Sequence, residues 1–241
     1  NRRMKLDILV FAVHPDDAEL GCSGTILKHI AAGYKVGIVD LTRGELGTRG
    51  TAETRDSESV ESTKILGLHA RENLEMRDGF FKNDEEHQLR IIQMIRKYRP
   101  EIVLSNALHD RHPDHGRASD LVYDALFLAG LPKIRTNMNG AEQQAFRPRL
   151  LLNYIQDRYI QPDIIVDVTE FWDKKLKCIR AFKTQFYSSE SDEPETYISS
   201  PDFLKAIEAR SRELGKSIGA IHGEGFTSKK LLGIDNLLDL R

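Results

Sequence analysis

The chain of 241 residues has only two cysteines, Cys22 and Cys178, far apart in sequence. That count leaves no disulfide framework and suits a reducing cytoplasm. No apolar run approaches the ~18 residues of a membrane span, and no secretory leader pattern precedes the first apolar segment. A surplus of one charge is missing too: 35 Lys and Arg stand against 37 Asp and Glu, a formal net charge of −2. That balance provides no bulk field for nucleic acid or an anionic membrane. Internal repeats and low-complexity linkers are absent, and the chain is expected to fold as a single domain over 4–241. Asn1-Arg2-Arg3 ahead of Met4 reads as a remnant of recombinant expression.

What is present is a globular profile, 40% hydrophobic and 30% charged. Apolar runs at 6–13, 36–41, 74–76, 102–105, 150–155 and 164–168 read as strands. Helical patterns fall between them: one ending near Gly33, then Ala52 to Leu66, then 83 or 84 to just before Pro100, then one reaching about Gly130. Two more are expected at 171–186 and 203–218, with a mixed tail at 231–240. The alternation predicts an α/β fold, a Rossmann-like doubly wound and mostly parallel sheet flanked by helices. With strand order 3-2-1-4, strands one and four are neighbours at the switch point, where ligands bind.

Two clusters sit at the carboxyl ends of those two strands. The first is His14-Pro15-Asp16-Asp17 and the second is Arg111-His112-Pro113-Asp114-His115. Pro15 suits a first helical position, and one helical turn brings His14 and Asp17 to the same side. Helix capping accounts for either cluster alone, but two His- and Asp-bearing strand-to-helix turns are hard to explain that way. His14, Asp17 and His115 together make two imidazoles and a carboxylate, the ligand set of a catalytic zinc with one position left for water. Iron or cobalt would accept the same ligands. Bound zinc brings the pKa of water towards ~7, and Asp16 is placed to take the proton. His112 suits hydrogen bonding to the oxyanion or protonating the leaving group, with Asp114 holding its ring.

Arg43, Arg49 and Arg55 lie in or just after the loop that follows strand two, and Arg111 borders the second cluster. If that loop overhangs the metal, these arginines suit a carboxylate-bearing substrate, with pairing to Glu45, Glu53 or Glu58 as the competing role. Cys22 and the remaining histidines (29, 69, 87, 109 and 222) read as packing or surface residues. The Ser- and Glu-rich stretch 187–201 is expected to be a mobile lid or an oligomer contact.

At these residues the sequence resembles the PIG-L/LmbE-type zinc-dependent deacetylases, whose marks are His14 to Asp17, His112 to His115 and the pair Arg55 and Glu58. The stretch 40–51 and Gly223-Glu224-Gly225-Phe226 resemble the branch that serves bacillithiol biosynthesis. The resemblance implies removal of the acetyl group from N-acetylglucosaminyl malate, a small anionic sugar conjugate, with one zinc per subunit. It implies His14, Asp17 and His115 as ligands, Asp16 as base, His112 as electrostatic or acid partner, and Arg55 and Arg111 near the substrate. A cytoplasmic homo-oligomer, hexamer or trimer, is also implied.

Other readings stay open at this point. The same chemistry fits another N-acetylglucosamine compound, such as an oligosaccharide, or a thiol-conjugate amide. A nucleotide-binding module with Asp40 on the ribose lacks the G-x-G-x-x-G turn, since His14-Pro15-Asp16 stands there. A metal-binding protein without activity would have no use for both Asp16 and His112.

Overall fold

The structure, a computed structural model, describes residues 4–187, 189 and 191–240. The first three residues, and with them the remnant reading, lie outside the described residues, as do 188 and 190 within the expected lid. In chain order the elements begin β1 (Ile8–Ala12), α1 (Asp17–Ala31), β2 (Val36–Asp40), α2 (Ala52–Leu66), β3 (Ala70–Asn73), α3 (Glu85–Tyr98), β4 (Ile102–Ser105) and α4 (Pro113–Ala129). A small hairpin, β5 (Asn137–Met138) with β6 (Ala141–Glu142), follows. Then come β7 (Leu150–Tyr154), β8 (Ile164–Asp167), α5 (Trp172–Arg180), α6 (Phe203–Ser217) and β9 (Gly223–Thr227).

The sheet runs β3-β2-β1-β4-β7-β9-β8, with the first five strands parallel and β9 antiparallel to both neighbours. The expected 3-2-1-4 order is therefore the order found. β1 is apolar throughout because both of its faces are covered. Leu9 and Phe11 join the core under α3 and α4, and Ile8, Val10 and Ala12 join the core under α1 and α5. Emptying a buried Phe site of this kind costs ~3–5 kcal/mol.

Local signals fix the helix ends. Thr51 and Thr54 bond reciprocally at the start of α2, and Gly67 closes it in the left-handed conformation at φ 74°. Asp84 caps α3 by accepting from the His87 backbone N–H.

Three expectations need correction. The strand expected at 74–76 is β3 at Ala70–Asn73, a polar edge strand. Leu74 and Met76 are buried, but Glu75 between them has φ 49°, which breaks the extended backbone. The helix expected through Phe186 stops as α5 at Arg180, because Glu58 and Arg49 draw residues 184–185 into a turn. Pro15 lies in the turn before α1 rather than in its first helical position, since Asp16 takes the N-cap.

Strand β9 carries two glycines and was not expected as a strand. A Cβ at Gly223 would come within 2.7 Å of Ile165 Cγ2 and one at Gly225 within 2.8 Å of Ile155 Cδ1, so only glycine allows this packing. Among the described residues no helix is long and apolar enough to cross a membrane.

Candidate active site

The carboxyl ends of β1, β4 and β7 open into a cavity of about 580 Å³. Its wall includes His14, Asp16, Asp17, Arg49, Arg55, Asp78, Asp110, Arg111, His112 and His115. The chain leaves β1 through Val13 and turns at His14, whose backbone N–H donates to Asp17 Oδ2 at 3.0 Å. This bond folds the His-x-x-Asp segment so that both side chains face the cavity.

His14 Nδ1 lies 3.5 Å from Asp17 Oδ2, and His115 Nε2 lies 3.3 Å from Asp17 Oδ1. One donor atom from each of His14, Asp17 and His115 falls within 4.8 Å of the others, a cradle that fits a single cation. The far nitrogens of both rings face carboxylates: His14 Nε2 to Asp78 at 3.0 Å and His115 Nδ1 to Asp110 at 2.6 Å. Carboxylates so placed fix ring orientation and raise the basicity of metal-binding histidines. A second group, His14, His112 and Asp114, is equally close. There the Asp114 carboxylate already accepts from the Gly79 N–H at 2.8 Å and from Arg117 at 2.7 Å, so the first group is the better cation site.

Charges respond to this crowding. Burial disfavours a charged His14 ring, but the Asp17 and Asp78 carboxylates outweigh it and push its pKa up to about 10. His115 is likewise carried to about 9, burial opposing and Asp17 and Asp110 prevailing. The same two histidines hold Asp17 well below the ordinary carboxylate range despite its burial. The cluster is electrostatically arranged for positive charge at its centre. Asp16 behaves oppositely: burial raises it to about 7, the Arg55 guanidinium 3.9 Å away only partly offsetting this. His112 is lowered by burial and by the neighbouring His14 and His115.

Capping does not account for Asp16. It stands at the N-cap of α1 at φ 135°, rare for a residue with a side chain, and makes no capping hydrogen bond. His112 does cap α4, its Nδ1 accepting from the Asp114 backbone N–H at 3.3 Å. Its ring sits 4.8 Å from that of His14, edge on. The expected hold of the Asp114 carboxylate on the His112 ring is not the contact made, because Gly79 and Arg117 occupy its oxygens.

Of the four arginines, Arg49, Arg55 and Arg111 line the cavity. Arg43 does not: its guanidinium turns to Asp56 at 2.6 Å and Glu53 at 3.4 Å, the ion pairing that competed with a substrate role. Arg49 donates to Thr184 O at 2.7 Å and to Ser191 Oγ at 2.8 Å, tying the expected lid to the loop after β2. Arg55 donates to Gln185, and its partner in the motif, Glu58, instead accepts from the backbone and hydroxyl of Thr184. Arg111 lies 4.3 Å above the Tyr197 ring. Asp40, the acid a nucleotide site would need, is 2% exposed and paired with Arg71 at 2.7 Å. Cys22 is a buried packing residue, as expected.

Asp78, Asp110, Asn106 and Gln156 escaped the sequence reading. Asn106 and Gln156 directly follow β4 and β7, so the switch-point rule applied to every neighbouring strand end points to them.

The model of the PIG-L family, GlcNAc-PI de-N-acetylase, matches residues 9–126. The diacetylchitobiose deacetylase of Thermococcus kodakarensis is 31% identical over 190 residues, 74% of this chain and 70% of that protein. The chain belongs to the PIG-L family. As a PIG-L protein it is a metal-dependent N-deacetylase. A probable N-acetyl-alpha-D-glucosaminyl L-malate deacetylase 2 of Bacillus subtilis is 25% identical over 199 residues, 76% of this chain and 84% of that protein. A conserved PIG-L-like protein of Thermus thermophilus, solved by crystallography, superimposes with a TM-score of 0.84 at 36% identity, covering 95% of this chain and 97% of the other.

Proposed function

We propose that this protein removes the acetyl group from N-acetylglucosaminyl malate, yielding glucosaminyl malate and acetate, as a step of bacillithiol biosynthesis. The observation that carries the chemistry is the His14–Asp17–His115 cradle with Asp16 and His112 on the same cavity wall. One zinc ion per subunit, held by those three residues, polarises the amide carbonyl and the attacking water when bound.

The protein's own groups move the protons. Asp16 takes a proton from the water that adds to the carbonyl carbon. His112 hydrogen-bonds the developing oxyanion and passes a proton to the nitrogen as the C–N bond breaks, so that acetate and the free amine leave. Asp114, fixed by Arg117 and Gly79, adds negative charge behind His112 and anchors the turn that carries it. Arg49, Arg55 and Arg111 supply the cationic wall for the malate carboxylates.

Buried free Cys22 and Cys178 support a reducing, cytoplasmic setting. Exposed Leu231, Leu237 and Leu238 support self-association, as a trimer or hexamer of a single domain spanning 4–241.

The 31%-identical deacetylase of diacetylchitobiose favours a second reading, an N-acetylglucosamine oligosaccharide as substrate. Primary-amine release from the malate conjugate, diacetylchitobiose and free N-acetylglucosamine, each with and without a chelator, separates them. Chelator-sensitive release from the malate conjugate well above the others is the expected result. Faster release from diacetylchitobiose would keep the mechanism and discard the malate.

A further inference from the structure

Asp17 is held by more than the histidines. Asn106 Nδ2 donates to Asp17 Oδ2 at 3.0 Å, and Gln156 Nε2 donates to Asp17 Oδ1 at 3.2 Å. The two amides also bind each other, Asn106 Nδ2 donating to Gln156 Oε1 at 3.0 Å. Their orientation is forced. The Val13 N–H can only donate, and it points at Asn106 Oδ1 at 3.1 Å, so the NH₂ end must face Asp17. The Ala107 N–H points at Gln156 Oε1 at 3.1 Å and turns the Gln156 NH₂ towards Asp17 in the same way. Each carboxylate oxygen of Asp17 thus receives one neutral amide donor, from the ends of two different strands.

We infer that Asn106 and Gln156 are positioning residues for the metal, a clamp that sets the plane of the Asp17 carboxylate before a cation arrives. The chemistry favours amides for this task. A lysine or arginine would fix the carboxylate equally well but cancel the charge that attracts the cation, whereas an amide donates and leaves the full negative charge in place. A free carboxylate must give up rotamer freedom when it binds a metal, and a clamped one has already lost it. The network closes on backbone N–H groups of the loops after β1 and β4, so the clamp also locks those loops in register.

The inference rests on the reading of His14, Asp17 and His115 as ligands, and the test separates the two. Zinc dissociation constants are measured by competition with a chromogenic chelator for the native protein, Asp17→Ala, Gln156→Met and Asn106→Ala, along with the Tm of each metal-free protein. Gln156→Met is the main variant, because Gln156 lies at the cavity wall and methionine keeps its length. Outer hydrogen bonds to ligands are typically worth 10–100-fold in metal affinity, so Gln156→Met is expected to weaken zinc by about that factor while the metal-free Tm stays put. Asn106→Ala is expected to act in the same direction, with added loss of stability from the unpaired Val13 N–H. Weak binding by Asp17→Ala with native binding by Gln156→Met overturns the clamp and keeps the ligand reading. Native binding by Asp17→Ala overturns both. A fall in metal-free Tm that accounts for the lost affinity of Gln156→Met would reduce the clamp to a structural bond and overturn it as well.

Discussion

Asp16 illustrates how one residue is freed for chemistry at the expense of local comfort. Its backbone is held at φ 135° by the bonds around it, and its carboxylate contributes no cap to α1. Asp16→Ala is therefore expected to keep metal binding and lose turnover by ~10²–10⁴-fold, the usual range for a general base. Metal content by emission spectroscopy beside kcat checks this, and near-native kcat would remove Asp16 from the mechanism. The arginines make a second contrast. Arg43→Ala is expected to leave KM unchanged, because its guanidinium pairs with Asp56 and Glu53 away from the cavity. Arg55→Ala, at the wall beside Asp16, is expected to raise KM or lower kcat, and steady-state kinetics of the two variants decides. The ligand triad and Asp16 were legible because their spacing and position after strands carry the chemistry. The turn of Arg43 away from the site was not, since acids on the same helix, Glu53 and Asp56, compete for it and sequence does not rank them.

Helix α1 is two helices joined at Cys22, where φ is −148°. The second half begins at Gly24 and Thr25, and the Glu224 carboxylate on β9 accepts from both backbone N–H groups, at 2.9 and 2.7 Å. Lys175 of α5 completes the lock, its Nζ lying 2.6 Å from Glu224 and 2.7 Å from the Leu20 carbonyl. Leu20 is one turn beyond Asp16, so this buried pair sets the angle at which the first turn of α1 enters the cavity. Lys175→Met leaves the Glu224 charge buried without its cation, and breaking such a pair costs about 3–5 kcal/mol. Urea denaturation measures it, and an unchanged midpoint would show that the kink does not depend on the lock. At this scale the capped helices α2, α3 and α4 were readable from their ends. The strand β9 was hidden because Gly223 and Gly225, demanded by close packing against Ile165 and Ile155, carry no strand signal of their own.

Across the whole molecule, the parallel order β3-β2-β1-β4 puts the two histidine turns side by side, and the third strand end, after β7, adds Gln156. The order followed from the alternation of elements and the handedness of their crossovers. The return of the chain through β9 and β8, antiparallel and out of sequence order, depends on long-range packing that no local pattern announces. A metal bound by three residues from two of these turns ties the sheet's switch point together. A ligand that binds only the folded state stabilises it by ~2.7 kcal/mol at a hundred times its dissociation constant, so chelation is expected to lower Tm. The decisive measurement is acetate release from N-acetylglucosaminyl malate by the native protein, by the protein stripped with a chelator, and by the stripped protein given zinc back. The account predicts loss of release on stripping, with a fall in Tm, and recovery of both on adding zinc. Undiminished release from protein verified to be free of metal would contradict it.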